Sequence, residues 1–125
     1  MKIEDIKFKA KRLDNGEWVK GDLVHSTSYV GISYPSDEFS DVPIVHRVDP
    51  STVCQFTGLK DEDENDIFEG DLLAEKRFPM YEVGYVNSEF AASYIGENTF
   101  IFKLPALSKG CVVCGSIYDR KEGKK

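Results

Sequence analysis

Strict alternation opens the chain. In Ile6-Lys7-Phe8-Lys9-Ala10 the apolar residues take every second position, the period of a strand with one buried face. Asp14-Asn15-Gly16 follows, a tight-turn signal because Asn and Gly tolerate positive φ. Residues 17–24 then read as the returning strand of a hairpin. Further short strands are expected at 28–34, which ends at Pro35, at 42–48, and at 52–59 after the Asp49-Pro50 turn. Pro43 confines the second of these to a sheet edge or a strand end at its start. A polar connection over 36–40 has room for one helical turn. Beyond the acidic stretch 60–66, strands are expected at 67–73, 81–86, 99–104 and 112–118, while 90–95 fits a strand or a short helix. No stretch holds a 3.6-residue period over three turns, and no internal repeat is present. Many short strands at close spacing predict an all-β protein with little helix.

A chain of 125 residues suits one compact domain or two small ones. Fifteen aromatic residues argue against a disordered chain. The predicted organisation is an N-terminal β-rich unit over 1–60, an SH3-like small barrel over 61–119 and a disordered basic tail over 120–125. Glu69-Gly70-Asp71-Leu72 supports the barrel, since Gly permits a sharp bend and Asp caps a turn. No apolar run reaches the ~18 residues of a spanning helix. Residues 1–11 are charged and lack the apolar core of a secretory leader. A cytoplasmic protein that does not enter a membrane is expected.

The net charge of −6 argues against binding a phosphate backbone by bulk electrostatics. It is unevenly spread. Residues 1–59 carry −2, residues 60–119 carry −7 and the tail carries +3. Lys7, Lys9 and Lys11 share one strand face, with Arg12 next to them, opposite Ile6, Phe8 and Ala10. The plain reading is a solvated face; the functional one is a nucleic-acid or partner face. Asp61, Glu62, Asp63 and Glu64 form an acidic partner surface that favours a basic counterpart. Asp61, Asp63 and Asn65 alternate as in a calcium loop. However, Asp66 stands where such a loop needs Gly, and Leu72 where it needs a bidentate Glu. A solvated turn is the expectation.

Cys111-Val112-Val113-Cys114 has the spacing of half a zinc site. Cys54, His25 and His46 do not supply a second pair at the required spacing, and an extended strand sets Cys111 and Cys114 on opposite faces. Free thiols are expected, with no metal and no cofactor. His46 and Asp49 point opposite ways on a strand, and a nucleophile–base pair would need Cys54 or a Ser to meet His46 in space. Trp18, Tyr29, Tyr34, Tyr81, Tyr85 and Tyr94 read first as core, with an aromatic binding face as the alternative. No phosphate-binding loop, nucleophile elbow or dinucleotide fingerprint is present, so no catalytic residues are assigned and no enzyme is expected.

The stretch from Asp49 to Asp61, with Gln55-Phe56-Thr57-Gly58-Leu59-Lys60-Asp61 at its end, resembles the YopX-like proteins of phages and prophages. So does its continuation, Asn65-Asp66-Ile67-Phe68-Glu69-Gly70-Asp71. Ile6-Lys7-Phe8-Lys9-Ala10 is similar to that family's opening strand, and Gly115-Ser116-Ile117-Tyr118-Asp119 to its closing motif. Asp61-Glu62-Asp63-Glu64-Asn65 departs from the family's Asp-Lys-Asn-Gly turn, which changes the local charge. The resemblance implies a β-rich phage or prophage protein with an SH3-like C-terminal barrel, working in a bacterial host cell. It brings no established activity. The expectation is a non-enzymatic interaction or assembly module that forms homo-oligomers and engages a protein partner. A nucleic-acid-binding barrel using the basic N-terminal face is the alternative.

Overall fold

The computed structural model describes residues 2–37, 41–75 and 78–119. The basic tail 120–125, and residues 38–40 of the polar connection, lie outside the described residues. Two units form, divided between Phe56 and Thr57. Both are built from antiparallel strands, and the protein is all-β.

In the first unit a 3-10 turn, Ile3–Asp5, precedes β1 (Phe8–Lys11), β2 (Trp18–His25), β3 (Val30–Pro35) and β4 (Pro43–Arg47). A second 3-10 turn, Pro50–Thr52, leads into β5 (Cys54–Lys60), whose first residues pair with β1. The strand order is β4-β3-β2-β1-β5. The sheet then curls until its sides meet. Arg12 bridges Val48, the Leu13 N–H donates to the Arg47 carbonyl (3.0 Å), and the Asp49 N–H donates to the Lys11 carbonyl (2.9 Å). Ala10, Ile32 and Val48 fill the interior with Phe8, Val19, Leu23, Val30 and Val53 around them. The even-numbered residues of β1 therefore point inward and the lysines outward, as the alternation predicts. Two local features permit the curl. A Cβ on Gly21 would collide with the Ser33 carbonyl oxygen, so β2 passes close to β3 only because that residue is glycine. Thr52 Oγ1 accepts from the Lys11 N–H (2.9 Å) and donates to the Asp49 carbonyl (2.7 Å), which locks the turn after β4 onto β1.

Ile6 departs from the expected strand 6–10. It closes the first 3-10 turn and is 43% exposed, because β1 starts only at Phe8. Likewise β5 starts at Cys54 rather than at Thr52, since Pro50 fixes a 3-10 turn that Asp49 caps by accepting from the Ser51 N–H (3.0 Å).

The second unit holds the end of β5 and its neighbour β6 (Asp66–Phe68). It continues with β7 (Asp71–Glu75), β8 (Phe78–Val86), β9 (Glu89–Tyr94), β10 (Phe102–Lys103), helix α1 (Leu104–Ser108) and β11 (Val112–Ser116). Its five-stranded sheet runs β10-β9-β8-β7-β11. Ile67, Leu73, Tyr81, Val83, Ala92, Leu104 and Cys111 form the core. The expected strand 67–73 is two strands. Gly70 takes φ 87° between them, and the Asp71 carboxylate accepts from the Phe68 N–H at 2.7 Å, so the bend that Gly70 and Asp71 signal divides the segment. Residues 90–95 resolve as β9. Only Phe102 and Lys103 of the expected strand 99–104 pair, and Leu104, followed by Pro105 in the first turn, opens α1.

Candidate interaction surface

β1 sets Lys7, Lys9 and Lys11 on its outer face, and its pairing with β2 decides what lies beside them. Lys9 stands opposite Lys20 and Lys11 opposite Trp18, so these side chains share that face. The Lys9 ammonium lies 4.6 Å from the Trp18 ring centre and that of Lys11 5.5 Å. Lys7 lies 4.6 Å over Phe56, the residue of β5 whose N–H donates to the Lys7 carbonyl. Arg47 of β4 repeats the arrangement 4.8 Å over Tyr29. Each such contact contributes about 0.5–1 kcal/mol at an exposed site. Arg12 does not join the ladder. As an even-numbered residue it points the other way, and both its Nε (2.9 Å) and its Nη2 (2.6 Å) bond to the Asp14 carboxylate. That hydrogen-bonded pairing raises the arginine above its ordinary pKa and holds the Asp14 carboxyl below its own.

The acidic turn belongs to the second unit. Asp61 is only 3% exposed and thus lies beneath the acidic surface rather than on it. Its carboxylate accepts from the N–H groups of Asp63, Asn65 and Val113, each at 2.8 Å, and from Asn65 Nδ2 at 3.2 Å. Burial pushes the Asp61 carboxyl up, but the bonds from Val113, Asn65 and Asp63 outweigh it and leave the group below its ordinary value. Glu62, Asp63 and Glu64 remain exposed on the turn thus fixed to β11. Lys60 and Asp66 close its base with a 2.8 Å ion pair. Among the described residues, no group of three or more His, Cys, Asp or Glu side chains could hold a metal ion.

The nucleophile and base candidates have other partners. His46 Nε2 bonds to the Tyr34 hydroxyl at 2.9 Å, the buried Cys54 thiol donates to the Thr52 carbonyl at 3.2 Å, and Asp49 serves the Ser51 turn. None of the three cysteines forms a disulfide; Cys111 is buried and Cys114 exposed. Burial raises both of these thiols, and carboxylates nearby raise them further: Glu75 and Glu62 for Cys111, Asp71 for Cys114. Neither is poised as a thiolate. Tyr81 is core as expected and packs against Tyr94 and Phe102, whereas Tyr85 and Tyr94 are 52% and 43% exposed at the ends of the same face. Sequence reasoning passed over Leu13 and Val45. Both line an open groove of about 400 Å³ with Asp14, His46 and Arg47. Their only signal in the sequence is an apolar residue placed directly before a tight turn and another on an edge strand.

The family model described as YopX protein matches residues 7–122. No curated protein matches the chain.

Proposed function

The chain belongs to the YopX family, and from that premise we propose that it is a phage- or prophage-encoded accessory protein without enzymatic activity. It acts by protein–protein contact in the cytoplasm of a bacterial host and assembles with copies of itself. One observation carries this reading. A single chain presents a lysine ladder laid over Trp18 and Phe56, and also an acidic turn, Glu62 to Glu64, held rigid by buried Asp61. The two are complementary in charge; the ladder lies on β1 and the turn joins β5 to β6. Contact between the ladder of one copy and the turn of the next is head-to-tail, and it builds a ring or a filament according to the rotation. An added protein partner with a basic surface would compete for the same turn. In the finer fold, the second unit is proposed to be an SH3-like barrel. Its support is the strand order, in which β7 to β10 are successive neighbours and β11 returns beside β7 after one helical turn. No helix among the described residues is long and apolar enough to cross a membrane.

The test is a charge swap. Lys7→Glu, Lys9→Glu and Lys11→Glu combined should abolish self-association, and so should Glu62→Lys, Asp63→Lys and Glu64→Lys combined. An equimolar mixture of the two variants should associate again. Variants that assemble as well as the natural chain would refute the reading.

A second reading is favoured by the Trp18 ring. Lysines beside this half-buried ring resemble part of a stacking platform for single-stranded nucleic acid. It predicts a mobility shift that weakens steeply with salt and disappears in the lysine-reversed variant. Unshifted DNA and RNA at low salt would remove it.

A further inference from the structure

Along an antiparallel edge strand, alternate residues turn their backbone groups to opposite sides. In the first unit the Val48 N–H donates to the Val30 carbonyl (3.0 Å), on the β3 side. The Arg47 carbonyl and the Asp49 N–H instead face Leu13 and Lys11. Counting back in steps of two, the N–H and C=O of Val45 also face away from β3. Among the described residues neither group has a hydrogen-bond partner. The reason lies in the β1–β2 hairpin. Leu13 is the last residue beside β4, because the chain turns back at Asp14-Asn15-Gly16, with the Gly16 N–H donating to the Arg12 carbonyl (2.9 Å). The edge of β4 is therefore open at Val45.

The open edge borders the groove of about 400 Å³ lined by Leu13, Asp14, Val45, His46 and Arg47. Leu13 is 63% exposed and Val45 42%. The Asp14 charge is taken up by Arg12. The Arg47 guanidinium rests on Tyr29, and no carboxylate among the described residues pairs with it. The groove thus combines apolar walls, one outward donor–acceptor pair and an uncompensated positive charge.

We propose that this edge of β4 docks an extended, acidic segment of a partner protein, which adds as a short strand beside Val45. The backbone of the segment exchanges two hydrogen bonds with Val45, an apolar side chain lies between Leu13 and Val45, and a neighbouring carboxylate meets Arg47. The pairing is short, since Pro43 has no N–H to offer and Leu13 occupies the edge at Arg47. A nucleic acid backbone fits less well, because the outward carbonyl needs a donor that phosphates lack. A second copy fits less well too. Two-fold pairing of β4 with itself at Val45 would set Pro43 of each copy where Leu13 of the other already sits. The inference rests on edge geometry and is independent of the lysine ladder.

The test uses the full chain and a library of displayed nonapeptides randomised at every position. Val45→Pro removes an N–H that faces away from β3 and trims the Val45 wall of the groove, while the β3–β4 hydrogen bonds stay in place. Selection should enrich peptides with an acidic residue next to an apolar one. These should bind Val45→Pro at least about tenfold more weakly than the natural chain. They should also move the Val45 amide resonance in the natural chain. Arg47→Glu, a second variant that leaves the backbone edge unchanged, should select basic residues in place of acidic ones. The proposal is overturned if no peptide is enriched, if enriched peptides leave the Val45 amide unmoved, or if Arg47→Glu leaves their charge preference unchanged. It is equally overturned if a single-stranded oligonucleotide, and no peptide, moves that amide.

Discussion

Replacing Asp61 by alanine should cost the second unit about 3 kcal/mol. The carboxylate is buried and accepts four hydrogen bonds. The Val113 N–H, which ties the turn to β11, would be left without its acceptor, a loss of about 1–3 kcal/mol. The three bonds from Asp63 and Asn65 lie in a turn that water can reach, and each contributes about 0.5 kcal/mol. Asp61→Asn keeps the shape but trades an acceptor for a donor and loses the charge, so about half the cost is expected. The native carboxyl titrates below its ordinary value. Its contribution is therefore complete above the unfolded value of about 3.9 and is lost as pH falls through the lower native value. Natural protein should consequently lose stability in acid more steeply than Asp61→Asn. Urea titrations read by amide exchange in β8 and β9 would measure both effects, with exchange at Val113 as the local reporter. A shift below about 0.5 kcal/mol for Asp61→Ala, or equal acid slopes for the two proteins, would refute the reasoning.

Three further outcomes are expected. Gly21→Ala should lower the unfolding free energy read by urea titration by about 2 kcal/mol, because its Cβ meets the Ser33 carbonyl; an unchanged midpoint would show that β2 can shift. Maleimide should label Cys114 before Cys111, with slow labelling at neutral pH that speeds up above the usual thiol pKa of about 8.5; rapid labelling at neutral pH would contradict the raised values. Tyr34→Phe should cost about 1 kcal/mol and move the His46 ring resonances; unmoved resonances would mean that this bond does not form in solution.

The alternation of residues 6–10 made the outer lysines legible, since a period of two fixes which side chains share a face. The same parity separates Arg12 from them. The rings beneath the ladder were not legible. They depend on Lys11 meeting Trp18 across the hairpin and on β5 returning beside β1, neither of which local pattern encodes. Closure of the first sheet through Arg12 and Val48 is likewise a long-range event. Residues 67–73 read as one strand because the bend that Gly70 and Asp71 signal does not by itself say that strand pairing stops there. Asp61 read as a solvated acid because its sequence neighbours are acids, whereas its burial comes from β11, far along the chain. The groove at β4 escaped notice because open backbone groups leave no mark on residue identity.

Light scattering behind a sizing column, at about 0.1 M and about 1 M salt, tests the assembly claim most directly, since screening shortens from ~10 Å to ~3 Å between them. Contact between the lysine ladder and the acidic turn predicts a mass that is a multiple of 14.1 kDa in low salt and falls toward 14.1 kDa in high salt. A 14.1 kDa species under both conditions, at concentrations where the charge-reversed variants behave identically, would contradict it.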